Sequence, residues 1–446
     1  MSDHLPREVL TEILSRLPVR SLLRFRSTSK SWKSLIDSQH LNWLHLTRSL
    51  TLASNTSLIL RVDSDLYQTN FPTLDPPVSL NHPLMCYSNS ITLLGSCNGL
   101  LCISNVADDI AFWNPSLRQH RILPYLPVPR RRHPDTTLFA ARVCGFGFDH
   151  KTRDYKLVRI SYFVDLHDRS FDSQVKLYTL RANAWKTLPS LPYALCCART
   201  MGVFVGNSLH WVVTRKLEPD QPDLIIAFDL THDIFRELPL PDTGGVDGGF
   251  EIDLALLGGS LCMTVNFHKT RIDVWVMREY NRRDSWCKVF TLEESREMRS
   301  LKCVRPLGYS SDGNKVLLEH DRKRLFWYDL EKKEVALVKI QGLPNLNEAM
   351  ICLGTLVPPY FLPRQICRKP RALGCERPRK TSLQLLRSRK TLAFRNRKKM
   401  AYMVLSKLGL PQWFGCKEVS CGLCKLNAER LTIYINEGFD TRLFVL

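Results

Sequence analysis

The sequence lacks the features that mark secreted and membrane-spanning proteins. Its first ten residues, MSDHLPREVL, contain no apolar segment of a signal peptide, and no stretch reaches about 18 consecutive apolar residues. The 15 cysteines are scattered over 446 residues and form no compact disulfide framework. We therefore expect a protein of the cytoplasm, the nucleus or both, with no membrane partner.

Sequence motifs of catalysis and phosphate binding are missing as well. The chain has no G-x-S-x-G, no P-loop, no H-E-x-x-H and no G-x-G-x-x-G. Cys416, Cys421 and Cys424 have ligand-like spacing, but no fourth ligand follows, so three free thiols are a better interpretation than a metal or iron–sulfur site. We expect no catalytic residue, no metal and no cofactor, although a catalytic triad is set by geometry and leaves no fixed sequence signature.

Acidic residues are scarce at the C-terminal end. Residues 363–446 hold 19 Lys and Arg against 5 Asp and Glu, whereas the preceding 362 residues hold 44 against 38. Runs such as RNRKK from Arg395 fit nuclear import, nucleic-acid binding or a solvated tail. We expect residues 361–446 to form a basic extension of uncertain order, and a gene-model read-through would produce the same abrupt change in composition.

The N-terminal segment LPREVLTEILSRLPVRSLLRFRSTSKSWKSLI is rich in apolar residues with helical spacing. The first helix is predicted by the i, i+3, i+4, i+7 stripe of Leu10, Ile13, Leu14 and Leu17. Pro18 ends this helix, a second helix is predicted at residues 21–26, and Ser29 is a plausible N-cap of a third. About 45 residues cannot bury this much apolar surface among themselves, which indicates a partner.

This segment resembles the F-box of plant proteins, in the order LP, then EIL-RLPV-SLLRFR, then SKSW-SLI. The resemblance implies three short helices within residues 1–48 that bind a Skp1-like adaptor and, through it, a cullin. The implied adaptor-binding residues are Leu5, Pro6, Leu10, Ile13, Leu14, Leu17, Pro18, Leu22, Leu23 and Trp32. For any one apolar residue, packing inside the module remains as good an explanation as adaptor contact.

The body of the chain contains a loose repeat of strand, polar turn and strand. Six aromatic residues mark it at spacings of 46, 65, 50, 47 and 52 residues: Tyr67, Trp113, Tyr178, Phe228, Trp275 and Trp327. Units of roughly 50 residues with aromatic and glycine marks predict a kelch-like β-propeller. A large β-sandwich is the alternative.

The body also resembles the F-box-associated domain of plant F-box proteins. The resemblance is carried by GSCNGLLCI from Gly95, WNPSLRQHRILP from Trp113 and GFGFDHKTRDYKLVRI from Gly145. It implies a substrate-binding domain over residues 49–360, without identifying the residues that touch the substrate. Recognition usually concentrates in loops, so the longest candidates are residues 127–137, 165–173 and 241–250, although a solvated connection is the better explanation for any one of them.

Together the patterns predict a small all-α F-box, an all-β propeller-like repeat domain and a basic extension. The implied function is that of a non-catalytic, substrate-recognition subunit of an SCF (Skp1–cullin–F-box) E3 ubiquitin ligase. Its F-box would hold the Skp1-like adaptor, and its body would hold an unidentified protein destined for ubiquitination and proteasomal degradation. The alternative is a nucleic-acid-binding protein acting through the basic extension, and we regard nucleic acid as the less favoured partner.

Overall fold

The computed structural model describes residues 6–52, 55–85, 90–127, 137–165, 171–195, 201–215, 223–241, 250–267, 270–299, 301–343, 346 and 348–360. Leu5 and the basic extension, with its cysteine cluster, lie outside the described residues. So do most of the three loops predicted to recognise a substrate, namely residues 128–136, 166–170 and 242–249.

Four helices form the N-terminal module: α1 (Arg7–Leu14), α2 (Val19–Phe25), α3 (Lys30–Ile36) and α4 (Gln39–Thr51). Pro6 and Pro18 immediately precede α1 and α2, where a fixed φ favours helix initiation. The hydroxyl of Ser29 accepts a hydrogen bond from the Trp32 amide at 3.2 Å, so the predicted N-cap of α3 is confirmed. Helix α4 was not predicted from the sequence, because its buried side includes the polar residues His45 and Ser49 and gives no clear apolar stripe.

The strands that follow form six antiparallel sheets within the described residues, and each sheet is numbered here as a blade. Blade 1 begins with β1 (Thr56–Val62), β2 (Asp65–Asn70) and β3 (Val78–Leu80). Blade 2 contains β4 (Ile91–Cys97), β5 (Leu100–Asn105), β6 (Ile110–Asn114) and β7 (Gln119–Ile122). Blade 3 contains β8 (Thr137–Asp149), β9 (Asp154–Asp165), β10 (Phe171–Thr179) and β11 (Ala184–Leu188).

The second half of the chain continues the pattern. Blade 4 contains β12 (Ala194–Leu195), β13 (Val203–Val205), β14 (Ser208–Thr214), β15 (Leu224–Asp229) and β16 (Ile234–Leu238). Blade 5 contains β17 (Phe250–Leu257), β18 (Ser260–Phe267), β19 (Arg271–Met277) and β20 (Trp286–Glu293). Blade 6 contains β21 (Val304–Tyr309), β22 (Lys315–His320), β23 (Arg324–Asp329) and β24 (Val335–Val338), and β25 (Glu348–Leu353) is the last strand.

The last strand closes the ring. β25 pairs with β1 in antiparallel register, with Leu58 opposite Ile351, and thereby supplies the innermost strand of blade 1. The innermost strands contact one another in a closed cycle of β25, β4, β8, β13, β17 and β21. The body is therefore a six-bladed β-propeller, and the sandwich alternative is wrong.

The sequence repeat corresponds to the blades. All six marker aromatics lie in the third strand of their blade, counted from the axis: Tyr67, Trp113, Tyr178, Phe228, Trp275 and Trp327. Each pair of neighbouring blades shares one apolar cluster, so six clusters surround the axis. The periodic aromatics are thus packing residues, as their recurrence predicted.

The stretch GFGFDHKTRDYKLVRI forms the inner hairpin of blade 3 and contacts blade 4. A Cβ at Gly145 would lie 2.5 Å from the ring of Trp211, so only glycine lets the two blades approach. Burial acts to raise the pKa of Asp149, but hydrogen bonds from Thr152, Lys156 and Thr231 lower it to about 2. This stretch is therefore a structural contact between blades.

The antiparallel strands give the propeller two distinct faces. Connections from the first to the second strand of a blade, and from the third to the fourth, lie on one face, which we call the near face. The strand ends joined by the connections from the second to the third strand, and from one blade to the next, lie at the opposite face, the far face. The strand ends that flank all three predicted recognition loops lie on the far face.

Candidate functional site

The core of the helical module contains two of the predicted adaptor-binding residues. Leu14 and Leu22 are only 1% and 0% exposed and pack with Val19, Ile36 and Leu41. Side chains this buried have no surface to offer a partner. Leu14 and Leu22 therefore contribute to the module by packing its core beneath the exposed residues.

The remaining predicted residues lie at or near the surface of the module. Pro6, Ile13 and Pro18 are exposed, and four others are half-buried: Leu10, Leu17, Leu23 and Trp32. Four further apolar residues of the module are exposed without having been predicted, namely Val9 and Phe25 and, at the end of α4, Leu50 and Leu52. Val9 lies one turn before Ile13 on α1, and this i, i+4 spacing is the signal that would have found it.

Exposed apolar side chains are present on α1 and α2, and also at the C-terminal end of α4. Ile13 of α1 is 46% exposed and Phe25 of α2 is 38% exposed. The Phe25 ring lies 5.4 Å from the ring of Trp32, centroid to centroid, which connects α2 to α3. We call the residues Pro6, Val9, Ile13, Pro18, Phe25 and Trp32 the apolar surface of the module.

Ion pairs hold the helices in place. Arg48 of α4 donates from Nη2 to both carboxylate oxygens of Glu12 at 2.6 Å, and Arg16 donates to Glu12 Oε1 at 2.7 Å. Hydrogen bonds from Arg48 and then Arg16 lower the pKa of Glu12 below its ordinary value. At the ends of α2 and α3, Arg26 donates to both oxygens of Asp37 at 2.6 and 2.9 Å. The apolar surface is therefore carried by helices that are fixed to one another.

The module packs against the near face of the propeller. The ring of Trp43 lies 5.6 Å from that of Phe148, at the near-face end of β8, and the Arg153 guanidinium lies 5.5 Å above the same tryptophan. Leu356, which follows β25, and Leu117, from the hairpin between β6 and β7, join the module's apolar core. The core of the module is thus completed by the propeller.

Buried Asn114, from the WNPS stretch, holds the segment that carries Leu356. Its Nδ2 donates to the backbone carbonyls of Thr355 at 3.0 Å and Val357 at 2.8 Å. The backbone amide of Gly354 donates to the carbonyl of Asn55 at 2.7 Å. The two bonds donated by Asn114 explain on structural grounds why an asparagine follows Trp113.

His210 and Cys144 are two buried titratable groups of the propeller that serve packing. His210 bonds the Val203 carbonyl at 2.9 Å and the Tyr280 hydroxyl at 2.8 Å, and burial lowers the pKa of this histidine to about 4. Burial raises the pKa of the Cys144 thiol to about 11. In the described part of the chain, no three His, Cys, Asp or Glu side chains come together as metal ligands do, and no helix is long and apolar enough to cross a membrane.

Comparisons with known proteins match both parts of the chain. The F-box domain matches residues 2–44, and the F-box associated beta propeller domain matches residues 50–348. The F-box protein CPR1 of Arabidopsis thaliana is 35% identical over 79% of this chain and 88% of its own length. An F-box/kelch-repeat protein of the same plant is 28% identical over 80% of this chain and 96% of its own length. A solved oligogalacturonate lyase in complex with manganese covers 62% of this chain and 71% of its own at 8% identity, but its TM-score of 0.35 is too low to support an argument.

Proposed function

Because this chain belongs to the F-box proteins that carry an F-box associated beta propeller domain, we propose that it is the substrate-recognition subunit of an SCF ubiquitin ligase. The helical module binds a Skp1-like adaptor and, through it, a cullin. The propeller binds a target protein. The ligase then ubiquitinates the target for degradation by the proteasome, in the cytoplasm or the nucleus.

The apolar surface of the module is the observation that carries this proposal. Ile13 and Phe25 remain exposed although the propeller contacts the same module through Trp43, Leu117 and Leu356. Exposed apolar residues on rigid helices favour a protein partner over solvent. We assign the adaptor contacts to the following residues: Leu5, Pro6, Val9, Leu10, Ile13, Leu17, Pro18, Leu23, Phe25 and Trp32. Leu14 and Leu22 support them from the core.

The charge of the module adds a requirement on the adaptor. Helices α2 and α3 expose Arg20, Arg24, Lys30 and Lys33, whereas the carboxylate of Asp37 is paired with Arg26. A surface of this sign associates faster and more selectively with an acidic partner. We therefore expect the adaptor to present acidic side chains around an apolar groove.

In this role the chain promotes ubiquitination by positioning the target protein. A target held by the propeller places its lysines near a ubiquitin-conjugating enzyme bound elsewhere on the ligase, which raises their effective concentration. The chain supplies binding surfaces and no reacting group. The F-box contacts the near face, so the far face is left for the target.

The test is co-purification of the full chain with a recombinant Skp1-type adaptor. Ile13→Asp places a charge in the proposed interface and is expected to weaken adaptor binding by at least about tenfold, since a buried Ile side chain contributes roughly 1.5–3 kcal/mol. Val78→Asp changes an apolar residue in β3 that is at least as exposed as Ile13, and it is expected to leave adaptor binding unchanged. A substitution at Leu14 would not discriminate, because it would unfold the module.

Two results would contradict the proposal. One is a wild-type chain that binds no Skp1-type adaptor. The other is an Ile13→Asp chain that keeps its thermal stability and binds the adaptor as tightly as wild type.

A further inference from the structure

Charged side chains bridge several neighbouring blades, and their balance differs between interfaces. Between blades 3 and 4, buried Lys156 pairs with Asp149 at 3.1 Å and with Asp233 at 3.2 Å. Lys186 pairs with the same Asp233. Two cations therefore meet two carboxylates, and the buried ammonium group is fully engaged.

The interface between blades 6 and 1 is balanced in the same way. Arg305 Nη2 lies 2.7 Å from Glu319 and donates to the Ala349 carbonyl at 2.6 Å. Arg61 donates to Glu348 at 3.2 Å. Again two cations face two carboxylates.

The interface between blades 2 and 3 departs from this pattern. Arg142 of β8 and Arg159 of β9 both pair with Asp108, from the hairpin between β5 and β6. Arg159 is only 3% exposed, its Nη2 lies 3.8 Å from the carboxylate, and that nitrogen has no hydrogen-bond acceptor among the described residues. The neighbouring carboxylate of Asp109 is engaged by Asn105. Two guanidinium groups thus share one anion.

A buried guanidinium N–H without an acceptor is unfavourable, because it has lost its water and gained no partner. Burial lowers the pKa of Arg159, which reflects the same cost. Among the described residues, both guanidinium groups pair with the single carboxylate of Asp108, while Asp109 is bonded by Asn105. An external anion would supply the acceptor that Arg159 Nη2 lacks.

The position of this group suits a ligand from outside. Asp108 lies in a connection from a second to a third strand, so the group opens toward the far face, away from the F-box module. The side chain of Arg142 is 37% exposed, so this member of the group is accessible from solvent. Two exposed apolar residues, Val106 and Tyr125, belong to the same end of blade 2, and Tyr125 lies close enough to affect Arg159 electrostatically.

We propose that Arg142, Arg159 and Asp108 form an anion site that binds an acidic group of the target protein, a carboxylate or a phosphoryl group. The guanidinium groups donate charge-assisted hydrogen bonds to its oxygens, and Val106 and Tyr125 contact the apolar residues beside it. This assignment rests on the proposed role of the propeller as the target-binding domain. It defines the target class as a protein segment with an acidic group flanked by apolar residues.

The experiment uses the full chain in complex with its adaptor and four pools of short random-sequence peptides. The fixed central residue of a pool is glutamate, glutamine, phosphoserine or serine. We expect retention of the glutamate pool over the glutamine pool, or of the phosphoserine pool over the serine pool, and the favoured pair identifies the source of the anion. Arg142→Gln is expected to reduce the preference by about tenfold, the size of a charge-assisted hydrogen bond.

Arg215→Gln is the matched control, because Arg215 is an exposed far-face arginine already paired with Glu237 at 2.9 Å. It is expected to leave the peptide preference unchanged. Inorganic phosphate is expected to compete with the retained peptides on wild type and not on Arg142→Gln.

Equal retention of acidic and neutral pools would overturn the anion site. So would an unchanged preference in a stably folded Arg142→Gln chain. Adaptor binding, measured on the same samples, separates this failure from a failure of the ligase role, because Arg142 lies in blade 3 and outside the module.

Discussion

Removing Trp43 is expected to release the helical module from the propeller without unfolding the propeller. Trp43 is half-buried, and its ring contacts Phe148 at 5.6 Å and lies beneath Arg153 at 5.5 Å. A fully buried tryptophan costs about 3–5 kcal/mol when cut to alanine. An aromatic pair contributes about 0.5–1.5 kcal/mol, and an exposed cation–π contact contributes about 0.5–1 kcal/mol. For a half-buried ring we therefore expect a loss of about 2–3 kcal/mol.

Hydrogen exchange measured by mass spectrometry provides the assay for Trp43→Ala. Local opening of the module exposes the amides of α1 to α4, so a loss of about 2–3 kcal/mol is expected to speed their exchange about 30- to 150-fold. Amides of β18 and β19 in blade 5, remote from the module, are expected to keep their protection. The matched control is Trp327→Ala, which removes a half-buried tryptophan of blade 6 that packs against Phe71 and should affect the blades instead.

Two outcomes would refute the reasoning on Trp43. If the module exchanges at the wild-type rate in Trp43→Ala, the observed contacts do not hold it. If blade 5 loses as much protection as the module, the two parts unfold together, and the contacts do not form a separable junction.

Two further predictions concern the propeller. Gly145→Ala places a methyl group 2.5 Å from the Trp211 ring and is expected to lower the free energy of unfolding by about 1–3 kcal/mol in a denaturant titration. The loss should be smaller in a Trp211→Phe background. If the stability losses of the two substitutions simply add, the contact between Gly145 and Trp211 is contradicted. Burial lowers the pKa of His210 from its ordinary 6.5 to about 4, so the unfolded chain binds this proton more tightly and stability falls by about 3 kcal/mol as pH drops through that window. His210→Gln is expected to flatten the dependence of Tm on pH there, and an unchanged slope would refute the assignment.

The propeller was predictable because large aromatic residues recur once in each blade. Trp113, Tyr178 and Phe228 recur because the third strand of each blade needs a large side chain between neighbouring blades. Helix α4 could not be predicted from recurring apolar residues, because its buried side is partly polar. His45 bonds the Leu17 carbonyl at 3.1 Å, and Arg48 pairs with Glu12. Periodicity detects apolar stripes, and it misses helices that pack through hydrogen bonds and ion pairs.

The candidate site was less predictable than the fold for a different reason. The stripe of Ile13 and Leu14 marks apolar residues on one helix, but only the packed structure separates exposed Ile13 from buried Leu14. The anion site has no sequence signal at all, because Asp108, Arg142 and Arg159 are brought together by the contact between two blades. Charge balance at an interface depends on tertiary structure and not on spacing.

Closure of the ring and docking of the module depend on the same short segment. β25 completes blade 1 by pairing with β1, and Leu356, three residues after that strand, completes the apolar core of the module. Asn114 connects the two events, because its side chain binds the backbone on both sides of Leu356. During synthesis the module is made first, yet its core is complete only once the last blade has closed. A chain with an open ring therefore lacks a fully packed module.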